Sequence, residues 1–384
     1  MNLRSFRGGD LLPILAVMRK AALLPIAFAV LLSSCTASTP KSAPSLPSSS
    51  RPTGTTSPTP TKKSTHVVSA RLALYTYQDS IWLYDVKLNK TSQVTRGGTV
   101  RMPKWIDASH FSFIQSENTL RIVDLKAGTT TDVFTAPDGI QAYGWSPDGQ
   151  TVAYITTDAS SYPHLRYRSV PDGATQSVAT LAPAPGRGGV QSDDIRVQFS
   201  KDGSYVLLVY TPSGGGAGVP PEQSQFQVRS SDGTLAFSVD DSRDPTMGLF
   251  SRDGRTVYFM DSGGVRAWTA GSGSTRTLRK MQWFNPWASP DGSQIAFDTG
   301  YYSTKVRVKV LGLRALTVST VSKPGRALPV FAGPDALWVQ EIVACSGCDG
   351  PVKLGAHVFS INTKTLAEKQ LPIQSLQDVD VFYQ

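Results

Sequence analysis

Three cysteines and a recurrent aspartate carry the most obvious chemistry in this chain. Cys345 and Cys348 stand as Cys-Ser-Gly-Cys. A thiol pair at that spacing can close a small disulfide loop in an oxidising compartment, ligate zinc, or cycle as a redox pair. Zinc would need about four ligands, and no second Cys-x-x-Cys exists. A redox pair would want a helix N-terminus within a strand-helix-strand setting, and neither is visible. The disulfide is the simplest reading. Asp148, Asp202, Asp253 and Asp291 invite a metal or acid–base role. Each holds the same place in a Ser-x-Asp-Gly turn, where an aspartate hydrogen-bonds its own backbone. His66, His110, His164 and His357 are scattered, whereas metal-dependent catalysis wants several histidines or carboxylates converging. Convergence from distant segments stays open. There is no Gly-x-Ser-x-Gly nucleophile turn and no phosphate-cradling loop, so the sequence offers no catalytic residues, no metal set and no cofactor motif.

Cys35 has a different setting. Met18-Arg19-Lys20 precedes twelve mostly apolar residues, Ala21 to Leu32, and Leu32-Ser33-Ser34-Cys35 follows. A charged start, a short apolar run and a small-residue cleavage site make a targeting segment. The run is well below the roughly 20 residues that a membrane span needs. The pattern resembles a bacterial lipoprotein leader. That resemblance implies that the Cys35 thiol takes diacylglycerol, becomes the acylated (palmitate-type) mature N-terminus and anchors the protein to the outer face of the cell membrane. Lipidation also removes the odd cysteine and leaves Cys345 and Cys348 to pair. Residues 1–34 are thus read as signal peptide, with Met18 as the true start.

Residues 36–65 hold 22 Ser, Thr or Pro among 30 and one sizeable apolar side chain, Leu46. Such a segment cannot bury enough surface to offset its chain entropy, so 35–66 reads as a lipidated cysteine and a disordered tether. A flexible chain of that length spans roughly 30 Å, and up to ~90 Å if its prolines keep it extended. The formal charge is +9, of which the leader carries +3 and the tether +4 through Lys41, Arg51, Lys62 and Lys63. Only +2 remains for residues 67–384. A surface that tracks nucleic-acid phosphates is therefore not expected.

From residue 67 the chain repeats itself. Trp145-Ser146-Pro147-Asp148-Gly149 returns as Phe199-Ser200-Lys201-Asp202-Gly203, as Phe250-Ser251-Arg252-Asp253-Gly254 and as Ser289-Pro290-Asp291-Gly292, each followed by a short apolar strand. In the last copy Ala288 replaces the aromatic and Trp287 stands one residue earlier. Degenerate copies lie at Pro103-Lys104-Trp105 and Pro329-Val330-Phe331. The anchors at 105, 145, 199, 250, 288 and 331 are spaced by 40, 54, 51, 38 and 43 residues. Such periods of short strands and turns mean an all-β fold, a β-propeller with one four-stranded sheet per repeat. Arg71–Tyr77 and Ser80–Val86 lack a first strand, and 378–383 is a strand without partners. Pairing the two ends closes the ring and hides both edges, giving seven blades over 67–384. Six or eight stay open because the stretch 199–240 is irregular.

These Ser-Pro-Asp-Gly hairpins resemble the TolB-type, WD-repeat-like propeller repeat. The resemblance covers about 67–384 and implies the fold; for function it spans partner-binding proteins, peptidase accessory domains and a few lyases or lactonases. The chain lacks the small α/β domain that precedes the propeller in TolB, so the Tol–Pal partnership does not carry over.

In a propeller the Ser-x-Asp-Gly turns lie on one face. Loops joining strands two and three, and those joining blades, lie on the other. The long insertions Asp158–Leu165, Ala182–Asp194, Thr211–Ser224 and Ala344–Gly355 fall on that second face, where binding is usually built. Tyr162, His164, Trp283, Phe284, Tyr301 and Tyr302 are expected there as exposed rings suited to a peptide or sugar, although some of them would merely cover blade edges. The expectation is a membrane-anchored scaffold that binds an envelope protein or glycan. Alternatives are a metal-dependent lyase or lactonase acting in the envelope, and a small-ligand sensor. Changing Met18 to Leu should abolish the lipoprotein, read by immunoblot of membranes; an undiminished level would place the start upstream.

Overall fold

The computed structural model describes residues 69–158, 162–181, 192–212, 225–239, 246–300, 303–346 and 352–384. They form seven four-stranded antiparallel sheets, and among the described residues there is no helix. The seven-bladed propeller expected from the repeat spacing is what the chain builds. Blades 2 to 7 each run in sequence order from the innermost strand outward. Their innermost strands are Val100–Trp105, Ala142–Trp145, Ser192–Phe199, Thr246–Phe250, Phe284–Ala288 and Arg326–Phe331. Blade 1 is composite. The C-terminal strand Asp380–Tyr383 supplies its innermost member and pairs with Ala70–Tyr77, which is followed by Ser80–Asp85 and Lys90–Gln93. The Ser69 amide and carbonyl both bond to Gln384, extending the closure past the strand ends.

The repeated turn explains why each blade starts the same way. In four blades the serine hydroxyl donates to the aspartate two residues on, at 2.5–2.7 Å, and accepts the amide five residues on, at 2.9–3.0 Å. The aspartate accepts a second amide. Gly149, Gly203, Gly254 and Gly292 sit at φ of 68–74°, a conformation that glycine adopts without steric cost. The aspartates are thus occupied by their own turns, as expected. The serine hydroxyls hold the carboxyls of Asp148, Asp202 and Asp253 below the ordinary value.

A second bond recurs seven times. The hairpin joining strands three and four leans on the first turn of its blade through an amide-to-carbonyl bond of 2.8–3.1 Å: Val86 to Arg71, Leu125 to Ser109, Val170 to Gln150, Ser231 to Ser204, Ala270 to Arg255, Leu313 to Ser293 and Thr363 to Asp335. Both sets of turns therefore share one face, here termed the turn face. The core lies between blades. Phe199 packs against Tyr167 of blade 3, and Phe250 sits with Val209 and Phe226 of blade 4, so these repeat aromatics fill the wedges between sheets.

Of the expected long loops, 159–161, 182–191, 213–224 and 347–351 lie outside the described residues. Apart from Asp158, Tyr162, Cys345 and Ser346, the rest of those stretches is strand. In blade 7 the second hairpin, Ala336–Ala344 with Val352–Asn362, is lengthened because Ile342, Val352 and Leu354 pack on Val306 and Ala327. Ser200 is fully buried, so Ser200→Ala would strand the Tyr205 amide. The expected cost is about 1–3 kcal/mol in the urea unfolding free energy, with the fold retained.

Candidate functional site

Innermost strands present one edge to the central channel, so whatever interrupts them shapes its mouth. Five of them shift register near their starts, and in four the break lies between Arg101 and Lys104, Thr246 and Leu249, Phe284 and Trp287, and Ala327 and Val330. The extra residue in each case is left-handed: Met102 (φ 54°), Met247 (51°), Asn285 (48°) and Leu328 (50°). Asp378 (49°) takes the same place just ahead of Asp380. Left-handed Met and Leu residues are strained, and bulges re-aim side chains at the rims of closed sheets. Five blades thus place a half-buried Met102, Met247, Asn285, Leu328 or Asp378 around the channel on the long-loop face.

Two of these bulges are clasped to a neighbouring blade by a carboxylate. Between blades 6 and 7, Asp298 Oδ2 accepts from Asn285 Nδ2 at 2.9 Å and from the Leu328 amide at 3.2 Å. Between blades 1 and 2, Asp378 Oδ2 accepts from Thr76 Oγ1 at 3.2 Å and the Met102 amide at 3.4 Å. The two clasps exchange roles. The acid stands on the second strand in one and at the bulge in the other. Asp298 is fully buried, and its Oδ1 has no hydrogen-bond partner. Burial pushes its carboxyl up, against the opposing effect of Asn285 and the Leu328 and Gly300 amides.

Deeper in the channel, the Trp105 amide bonds Asp380 Oδ2 at 2.7 Å and Trp105 Nε1 bonds the Asp380 carbonyl. Burial raises the Asp380 carboxyl while nearby Lys104 lowers it. Trp287 of blade 6 donates to the Tyr383 hydroxyl, which donates to the Phe331 carbonyl of blade 7 at 2.6 Å. Trp105 also meets Phe382 with ring centroids 5.7 Å apart. Aromatic side chains of blades 1, 2 and 6 are therefore joined through the C-terminal strand.

The residues expected to bind do not form one patch. Tyr162 is exposed at 41% on the long-loop face of blade 3, its amide held by Asp158 Oδ1. His164 beside it bonds Asp158 through Nε2 at 3.0 Å and Thr180 through Nδ1 at 3.2 Å. Phe284 is half-buried at the start of blade 6. Trp283 is a correction: it is fully buried, against Phe297, Ile295 and Leu249. A side chain that enters the space between two blades is covered on both sides, so its ring is core. Blades 3 and 6 are not neighbours, which separates Tyr162 and His164 from Phe284. Tyr301, Tyr302, Cys348 and Cys35 fall outside the described residues; Cys345 directly follows strand Ala336–Ala344. His110 bonds Asp107 on the turn face and His357 bonds Glu341 within blade 7. Among the described residues no three His, Cys, Asp or Glu side chains gather to hold a metal. The sequence reading did not single out Asn285, Asp298, Leu328 and Asp378.

No family model matches the chain, and no curated protein matches it by sequence. Solved structures do resemble it. An oligogalacturonate lyase in complex with manganese aligns at 13% identity over 75% of this chain and 84% of its own, with a TM-score of 0.57. The tricorn protease aligns at 10% identity over 83% of this chain and 35% of its own, TM-score 0.56. TolB from Acinetobacter baumannii aligns at 14% identity over 81% and 82%, TM-score 0.44. At such identities the likeness shows the propeller fold alone.

The buried carboxyl makes a pH prediction. A raised folded pKa means that the contribution of Asp298 to stability is full below its unfolded value, near 3.8, and is lost as pH rises through the folded value. Asp298→Asn keeps an acceptor for Leu328 and removes the ionisation. It should raise the urea midpoint at pH 7 and flatten its decline above about pH 4. Asp298→Ala should lower the midpoint at every pH.

Proposed function

We propose that this protein is a lipid-anchored, extracytoplasmic lipoprotein whose propeller binds an envelope protein or glycan without catalysis. The observation that carries the reading is the channel mouth. The left-handed bulges of five blades bring half-buried Met102, Met247, Asn285, Leu328 and Asp378 to the long-loop ends of the innermost strands, a mix of apolar side chains and sparse polar groups of the kind that recognition sites use. Exposed Tyr162 stands on the same face. The leader and Cys35 supply the anchor, the Ser/Thr/Pro-rich segment the reach, and tethering raises the local concentration of the binding face. A Cys345–Cys348 disulfide would tie the loop of blade 7 on that face.

The competing reading, a metal-dependent lyase or lactonase of the envelope, draws on the fold likeness to the manganese-bound lyase. It needs converging metal ligands, whereas His110, His164 and His357 each pair with a carboxylate of their own blade. Stoichiometric manganese, calcium or zinc in the purified protein would favour it.

The direct test is in-cell crosslinking. A photo-crosslinking residue at Tyr162 or at Asp79, in the blade 1 loop of the same face, should capture one specific partner. The same probe at Lys126 on the turn face should not. Equal capture from both faces, or none from either, would overturn binding on the long-loop face.

A further inference from the structure

The chain enters the propeller on the turn face. The Ala70 amide donates to the Ala332 carbonyl in the first turn of blade 7, and Ser69 pairs with the C-terminal Gln384. Strand Ala70–Tyr77 then runs towards the opposite face. Whatever holds residues 35–66 to a membrane therefore pulls on the turn face, at the junction of blades 7 and 1.

Around that junction the outer hairpins of four consecutive blades make an arc. Blade 6 presents Arg314, blade 7 Lys364 and Leu366, blade 1 Lys87, Leu88 and Lys90, and blade 2 Lys126, all exposed. Leu88 and Leu366, at 68% and 54%, are the two most exposed large apolar residues among those described, and they flank the point where the chain enters. The corresponding hairpins of blades 3 and 4 carry Asp172 and Asp232 instead, and that of blade 5 is Gly271-Ser272-Gly273. The outer hairpins on the tether side thus carry the two exposed leucines and a basic excess over Asp85 and Asp124, while those of blades 3 and 4 carry Asp172 and Asp232.

The leucines have no evident structural reason to be there. The left-handed position of this hairpin is Asn89 in blade 1 and Gly128, Gly173 and Gly233 in blades 2 to 4, but a leucine in blades 6 and 7: Leu316 at φ 53°, packed against the core between blades 5 and 6, and Leu366 at φ 59°. A leucine in that conformation is strained, and Leu366 gains no burial in exchange. Leu88 is held out by its own turn, in which Asp85 accepts its amide at 2.9 Å. Of the cations, Lys364 is shared with Asp335 at 2.6 Å.

We propose that this arc seats on an anionic lipid surface, with Leu88 and Leu366 entering the headgroup region and Lys87, Lys90, Lys126 and Arg314 facing lipid phosphates. Small apolar insertions flanked by basic residues bind such surfaces by adding apolar burial to electrostatic attraction. The inference rests on the membrane tether of the reading above and deepens it: the seat turns the channel mouth away from the bilayer.

The test uses the chain from residue 35 onward with Cys35→Ser, so that no acyl chain contributes, on vesicles with and without phosphatidylglycerol. Flotation should show binding to the anionic vesicles only. Leu88→Ser with Leu366→Ser should weaken it about fivefold or more, and Lys87→Glu with Lys126→Glu about tenfold. Leu235→Ser, on blade 4, should leave it unchanged. Binding that survives both double substitutions would be held by the tether's Lys41, Arg51, Lys62 and Lys63 and would overturn the seat. Mass spectrometry of the Cys35 peptide from cells tests the anchor separately; a missing acyl chain with intact, leucine-dependent vesicle binding would fail the anchor and keep the seat.

Discussion

The pairing of Asp380–Tyr383 with Ala70–Tyr77 is the interaction on which the rest of the molecule depends. A row of sheets has two ends, and each end leaves a strand with unmet hydrogen bonds and an uncovered apolar face. Here the two ends are made to complete one another. The C-terminal strand also brings Asp380 to the Trp105 amide of blade 2 and the Tyr383 hydroxyl to blades 6 and 7. Four residues therefore join four blades, and the channel takes its inner lining from them.

Closure fixes the ring but leaves the blades to be held in register with one another. At two of the seven junctions that is the work of the carboxylate clasps; at the others it falls to the apolar wedges between sheets. The Asp298 and Asp378 clasps perform the same bond with their donors and acceptors exchanged, which is how a repeated geometry survives when its sequence does not. An enclosed position makes such hydrogen bonds electrostatically stronger than they would be in water. The strained bulges at Met102 and Leu328 persist because their freed amides have these acids to meet. The same strain that shapes the mouth is stabilised by the bonds that surround it.

Much of the fold was legible because its signals are local. Serine, aspartate and glycine at fixed offsets define a turn within five residues, and an aromatic just before them marks where one blade meets the next. The composite blade followed from counting strands at the two termini. The mouth was not legible for the opposite reason: residues 285, 298 and 328 meet only after two blades have formed. Asp378 and Asp380 were read as parts of a strand, yet an acid on an innermost strand could have been flagged as a candidate interblade bond. Trp283 misled because exposure was argued from loop position. In a propeller both faces of every blade are covered, so a large ring beside an innermost strand goes into the wedge between sheets.

The place where the chain enters has a mechanical consequence. A pull on the segment ahead of Ser69, directed away from the turn face, acts along the axis of strand Ala70–Tyr77. That strand is flanked on both sides, by six paired positions on Ser80–Asp85 and four on Asp380–Tyr383. Its hydrogen bonds lie across the direction of the force, so they are loaded together in shear and do not peel one after another. Had the chain entered at an outermost strand, the same pull would have unzipped a blade from its rim. A pull from that end is therefore met by the whole seam at once.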